Sequence, residues 1–290
     1  MSPSSASGSV TSARWPMVAS RAAVLLWFLV PLSPLLVWAI ADQWSWPALL
    51  PQQLGLRGWR TALDQDLPAA LGRSVLLGTA TAATAVPLGA LAGRALAWRP
   101  ARVTSLAALV LVLPVAIPPF TIAIGLETMV LRLRLPSFPA LVLILAVLAL
   151  PYTTYVLRAA YAALDPDLER QARTLGAGPV RAFATVTAPA LRTPLLAATS
   201  IAFLVGWSDY VITVVVGGGR LVTVPMLLAA ALSGSGNEPL VAAVALTALI
   251  PVVLVAVAAR SGRRSGRRSG RRSRPAPTPT AAHGPIMVPR

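Results

Sequence analysis

No cysteine occurs among the 290 residues, and no lysine either. The first absence removes disulfides, thiolate chemistry and cysteine-held metal sites. The second removes the P-loop, whose lysine must reach the phosphates of a bound nucleotide, so the chain does not hydrolyse ATP by that route. The single histidine, His283, stands in a proline-rich tail, and neither a histidine triad nor a multi-histidine metal site can be assembled. Charge is scarce as well: only 12% of residues carry one, about half the share of a soluble domain.

What the chain has instead is apolar surface. Hydrophobic residues make up 56% of it, and the mean hydropathy is +0.71. Several apolar runs exceed the ~20 residues that cross a hydrocarbon core, and the ~10-residue alternating segments of a membrane β-barrel are missing. The predicted class is an all-α, polytopic membrane protein of six transmembrane helices, near 22–41, 71–97, 103–126, 138–157, 190–216 and 240–259. The first run also reads as a signal peptide, since Ala39-Ile40-Ala41 resembles a cleavage site. Its length favours an uncleaved span, because signal h-regions run to only 7–15 residues. Residues 1–20 read as a disordered arm, 21–259 as the membrane domain and 260–290 as a disordered Arg- and Pro-rich tail.

Local composition adds detail to each run. Trp44, Trp46 and Trp59 in the polar stretch 42–70 suit an interfacial belt. The Gly-, Ala- and Thr-rich second run suits a helix buried in the bundle. Pro114, Pro118 and Pro119 should kink or break the third.

The formal net charge of +16 is carried by arginine alone, and eight of the 25 lie between Arg260 and Arg274 in a repeated Ser-Gly-Arg-Arg unit. The repeat reads as a solubilising tail that reinforces topology, with contact to anionic lipid; weak, non-specific nucleic-acid contact is the other reading, and no specific nucleic-acid partner is expected. Six spans put both termini on one side. That side holds nineteen arginines against six, or ten against six without the tail. By the positive-inside rule both termini are cytoplasmic, and so is the charged segment 158–189.

That segment interrupts the apolar chain. Asp165 and Pro166 form a helix start, with Asp167 and Glu169 in the first turn and Arg170 and Arg173 later, all matching the helix dipole. Leu164, Leu168, Ala172 and Leu175 share a face that should lie against the bundle. Gly176 is placed for a left-handed C-terminal cap. Pro179 can open a second short helix, which Pro189 should end. The pattern reads as a helix–turn–helix, either an interfacial connector or a docking element.

Asp209 is the one acid inside an apolar run. A buried carboxylate there faces the bundle interior or a wet cavity. With Trp207 and Tyr210 beside it, whose rings attract amines, it marks a cationic-substrate pathway; the alternatives are a pair with Arg73 or Arg220, or a place near the outer boundary.

The segment Gln171-Ala172-Arg173-Thr174-Leu175-Gly176-Ala177, with Phe183 and with Pro189 thirteen residues after the glycine, resembles the signature loop of permease subunits of bacterial ABC importers. Arg170 stands at the position of the family's glutamate, with Glu169 one residue earlier, and Gln171 replaces an alanine. The resemblance extends over residues 65–257. Leu113 to Pro119 looks like the proline-rich third helix of these permeases. Trp207 to Thr213, Gly217–Gly219, Thr223 to Leu227 and Asn237-Glu238-Pro239 resemble the spermidine/putrescine-type branch.

The resemblance implies a cytoplasmic ABC ATPase dimer docked on Glu169, Arg170, Ala172, Leu175, Gly176, Ala177, Phe183 and Pro189. It also implies a second permease subunit, a heterodimer being favoured over a homodimer, and an extracytoplasmic solute-binding protein that meets an outer face carrying Glu127, Arg132 and Arg134. No cofactor is expected on this chain, since the ATP would be used by the partner. The implied protein is a multi-pass subunit of a bacterial cell membrane, not itself an enzyme, moving a polyamine-like or other small solute, with iron, thiamine and phosphonate-type solutes as alternatives. An ion-coupled carrier should show inverted repeats, and an intramembrane enzyme needs catalytic groups at depth; neither pattern is evident. A non-transporting scaffold remains compatible with the sequence.

Overall fold

The computed structural model describes residues 29–272 except Trp46, together with Ser20, Ala23, Leu26 and Trp27; for 259–272 it describes the backbone helix alone. Arg14, Arg21, Trp46 and the tail 273–290 lie outside the described residues. The chain divides into two units, Met1–Val252, which carries the helical bundle, and Val253–Arg290.

Only the end of the first apolar run is described throughout. Pro31 and Pro34 shape a 3-10 turn at Val30–Leu32 and a short helix α1 at Ser33–Trp38. The polar stretch that follows is more ordered than its composition suggests. Strands β1, Ala41–Gln43, and β2, Gln53–Leu54, pair antiparallel. Helix α2, Arg57–Asp64, then starts with the Arg57 N–H donating to Asp42 Oδ1 at 2.7 Å. The Trp59 indole donates to the Ala39 carbonyl at 2.9 Å, tying α2 to the end of the first run.

Helix α3, Leu67–Ala97, is the centre of the bundle. It packs against both α6, Ser137–Ala162, and α9, Ala188–Ser208. Small residues permit this: a Cβ added at Gly206 of α9 would lie 2.9 Å from Gly78 Cα and 2.7 Å from Thr81 Oγ1. Lipid tails supply no hydrophobic force between helices, so such close backbone approach is how they hold together. Leu77, Ala85, Leu145, Ala149 and Ala202 fill the seams.

The proline-rich third run breaks outright. Helix α4, Ala101–Ala116, and helix α5, Pro119–Arg132, meet at 89°. Ile117 and Pro118 each precede a proline, a position that disfavours helical backbone, and both are extended, with ψ of 134° and 133°.

The fifth run breaks too, where the sequence reading carries it through. Helix α9 stops at Ser208, Asp209 is extended, and α10 covers Val211–Val216. Helix α11, Val224–Leu232, begins where the Val224 N–H donates to the buried Ser74 hydroxyl of α3 at 2.9 Å. The last helix, α12, spans Glu238–Arg272 and so runs past residue 259, where the apolar run ends. Extending an existing helix costs far less than nucleating one, and arginine is a good helix former.

Four stretches are long and apolar enough to cross a membrane: α3, α6, Pro179–Ser208 and the Glu238–Ala258 part of α12. The bent pair α4–α5 makes a fifth if it counts as one span. The expectation of six therefore becomes four or five among the described residues, with 22–41 described only in part.

Candidate functional site

The charged segment folds into helix α7, Asp167–Thr174, a turn, and helix α8, Pro179–Ala182. Helix α7 starts one or two residues later than its composition suggests. Asp165 nonetheless acts as its cap, with Oδ1 accepting the Asp167 N–H at 2.9 Å. At the other end Gly176 adopts φ +88°. The Ala177 N–H bonds to the Ala172 carbonyl at 3.1 Å and the Gly176 N–H to the Arg173 carbonyl at 3.0 Å. This is a Schellman motif, in which glycine takes the left-handed position at no steric cost.

Two expectations fail here, each for a physical reason. Leu164 packs against the bundle as expected, but Leu168 only borders a small cavity there, Leu175 is 88% exposed, and α7 has no buried residue. The inward position belongs to Glu169, whose side chain is 17% exposed. One nitrogen of Arg94, in the last turn of α3, lies 3.0 Å from both carboxylate oxygens of Glu169. A charge-assisted contact with a partly buried arginine decides the rotation of a short helix that has little apolar surface to bury.

Pro189 does not end the second helix either. A π-turn at Phe183–Thr187 joins α8 to α9, giving one helical stretch from Pro179 to Ser208. Proline lacks an N–H and its ring crowds the carbonyl four residues back; the wider turn before it takes up both defects.

Glu169 gathers the site. Besides Arg94 it accepts from the Thr187 hydroxyl at 3.2 Å and from Arg173 at 3.4 Å. Burial pushes its carboxyl up, but the Arg94 hydrogen bond and charge, the Thr187 hydroxyl and Arg173 together outweigh this and hold it below the usual carboxylate range. Arg94 also sits 5.8 Å over the Phe183 ring. Arg170 turns outward, 75% exposed, and pairs with Asp167 at 2.7 Å. The turn presents Leu175 and Val180, the latter 80% exposed. Arg94 and Thr187 were not legible as members of this site: Arg94 is 75 residues from Glu169, and nothing local to either residue announces the pair.

The three pathway residues have different surroundings. Trp207 is buried, stacked on Phe203 with ring centroids 6.0 Å apart, and donates to the Ala248 carbonyl at 3.1 Å. Tyr210 is exposed. Asp209 pairs with neither Arg73 nor Arg220. Its Oδ2 accepts the Thr213 N–H at 2.8 Å and the Thr213 hydroxyl at 2.9 Å, capping α10. Arg73 reaches Asp66 at 3.6 Å instead. Among the described residues no cluster of His, Asp and Glu could hold a metal ion.

Residues 85–268 match the family model described as the binding-protein-dependent transport system inner membrane component. The chain belongs to this family. Among relatives, the inner membrane ABC transporter permease protein YnjC of Escherichia coli K12 is 31% identical over 148 residues, 51% of this chain but only 29% of that protein. The trehalose transport system permease protein SugB of Mycobacterium tuberculosis is 29% identical over 220 residues, 71% of this chain and 77% of that one. The molybdate/tungstate transport system permease protein WtpB of Pyrococcus abyssi is 30% identical over 130 residues, 45% of this chain and 52% of that one.

Among solved structures, a chain of a bacterial ABC transporter involved in import of the acidic polysaccharide alginate superposes with a TM-score of 0.65 at 15% identity, covering 88% of this chain and 98% of that one. At that identity it speaks for the fold alone. The spermidine/putrescine-type branch expected from residues 207–239 finds no specific support in these names.

Proposed function

We propose that this family member is the membrane permease subunit of an ABC importer, powered by a separate cytoplasmic ATPase and supplied by an extracytoplasmic solute-binding protein. The observation that carries the reading is the α7–Gly176–α8 element. It is anchored to the bundle through Glu169, its helix α7 is capped at both ends, its turn presents Leu175 and Val180 to solvent, and it continues without a break into a span. An element of that shape suits a groove on a partner, and its helical continuity suits transmission of the partner's motion.

The arginine bias supports a cytoplasmic place for this element and for both termini. The docking residues are Glu169, Arg170, Ala172, Leu175, Gly176, Ala177, Phe183 and Pro189. Of these, Arg170, Leu175, Gly176 and Pro189 are exposed, while Glu169 shapes the element from inside. A second permease subunit would complete the pathway. An open apolar groove of about 560 Å³ between α4–α5 and α6, lined by Val110, Leu113, Ile117, Ile122, Leu143 and Val147, leaves surface for it or for lipid.

The relatives' names favour an uncharged or anionic solute such as a sugar or an oxyanion over a polyamine. Asp209, the carboxylate on which a cation pathway leaned, is occupied in capping α10.

Purification from native membranes in mild detergent tests the reading. The chain should bring down an ABC ATPase in stoichiometric amount, and Leu175→Asp with Val180→Asp should abolish this while the chain still inserts. A chain that purifies with no ATPase removes the proposal.

A further inference from the structure

Helix α7 is held to the bundle by one carboxylate, and that carboxylate reaches two spans. Glu169 binds Arg94 of α3 at 3.0 Å through both oxygens, and Thr187, the last residue of the π-turn that leads into α9, at 3.2 Å. Packing shares little of the task, because no residue of α7 is fully buried. Behind the pair lies a small cavity of about 40 Å³ bounded by Arg94, Trp98, Tyr161, Leu168, Glu169 and Thr187. A close-packed interior resists displacement; a helix over a void, held by polar contacts, can shift as a body without breaking a core.

We propose that Glu169 is the branch point of a two-arm linkage, in which Arg94 carries a displacement of α7 to α3 and Thr187 carries it through the π-turn to α9. The inference rests on the reading of α7 as the ATPase-docking element. Arg94 and Thr187 are positioning residues here, with no part in docking itself. The arms differ in chemistry. The arginine arm is charge-assisted and about twice as strong as a neutral contact. The threonine arm is a single hydroxyl bond to a turn whose wider hydrogen-bond register is looser than an α-helix. Arg94 also stacks over Phe183, the first residue of that turn, so the two arms meet on its near side. Arg173, the remaining partner of Glu169, belongs to α7 itself and moves with it.

The absence of cysteine makes the test direct, since spin labels can be placed in the natural chain without removing a thiol. In the purified transporter with its ATPase, one label pair at Leu91→Cys of α3 and Tyr152→Cys of α6 reports movement of α3. A second pair at Leu196→Cys of α9 and Tyr152→Cys reports movement of α9; all three residues are exposed. Distances are measured by electron paramagnetic resonance with and without ATP.

In the unaltered linkage ATP shifts both distances. R94Q should at least halve the α3 shift and spare most of the α9 shift, and T187V should do the reverse, with the ATPase bound in full in each. The conservative R94K, which keeps the charge, and T187S, which keeps the hydroxyl, should recover most of what R94Q and T187V lose. Where R94Q does not assemble, R94M, which keeps an unbranched side chain but neither charge nor donor, is read in its place. Full shifts in both variants, equal loss of both shifts in each, or no ATP-dependent shift in the unaltered linkage overturns the proposal. Failure of the ATPase to bind the unaltered chain overturns the docking reading instead, before any variant is made.

Discussion

At Gly176 the backbone carries the site more than any side chain does. Its φ is +88°, and a Cβ placed there would meet nothing within 4 Å. The cost of replacing it is therefore conformational and not steric, on the order of 1–2 kcal/mol for an ordinary residue in the left-handed region. Gly176→Val should open the Schellman turn and weaken ATPase capture at least tenfold in a pull-down titration, with the thermal unfolding midpoint of the chain little changed. Gly176→Asn, which tolerates that region, should keep most of the binding; equal loss in both would point to a side-chain clash with the partner. This residue was legible in the sequence because its signal is local: a capped helix, a glycine, then a proline. Glu169 was legible as a charge but not as an anchor, because its partners come from α3 and the π-turn, 75 and 18 residues away.

Among the elements, the breaks carry the information. The α4–α5 corner could be read from Pro118 and Pro119, since each constrains the residue before it. The α9–α10 break could not be read from hydropathy, because one carboxylate barely lowers the average of a long window. The local signal was Asp209 followed four residues later by Thr213, a cap in the middle of an apolar run. Asp209→Ala should destabilise the protein by about 0.5–2 kcal/mol, and Asp209→Asn, which keeps an acceptor, by a few tenths; thermal unfolding in detergent separates the two. A larger effect of asparagine on transport than on stability would return the carboxylate charge to the pathway. Helix contact gives a second test. Gly206→Leu forces α9 away from Gly78 and Thr81 of α3, an overpacking change of about 1–3 kcal/mol. The unfolding midpoint should fall clearly, whereas Leu196→Ala on the exposed face of α9 should leave it nearly unchanged.

For the whole molecule, the all-α membrane class followed from composition and run length, and the structure bears it out. The count of spans did not follow, because a run of apolar residues does not show whether it crosses straight, turns at a proline corner or stops at a cap. Orientation is a property of the intact chain in its bilayer. Single cysteines at Leu175 and Leu133, both exposed, should be labelled by an impermeant thiol reagent from opposite sides. In right-side-out vesicles Leu133→Cys should react and Leu175→Cys should not; the reverse pattern inverts the arginine-based topology. The π-turn has a mechanical consequence at this scale. Because it replaces a break, Pro179–Ser208 forms one continuous helical stretch of 30 residues, about 45 Å long at 1.5 Å per residue. Pivoted at its Ser208 end, such a stretch moves its Pro179 end by about 4 Å for a tilt of only about 5°, so a partner docked at the α7–α8 turn would convert a sizeable stroke there into a small rotation of the span.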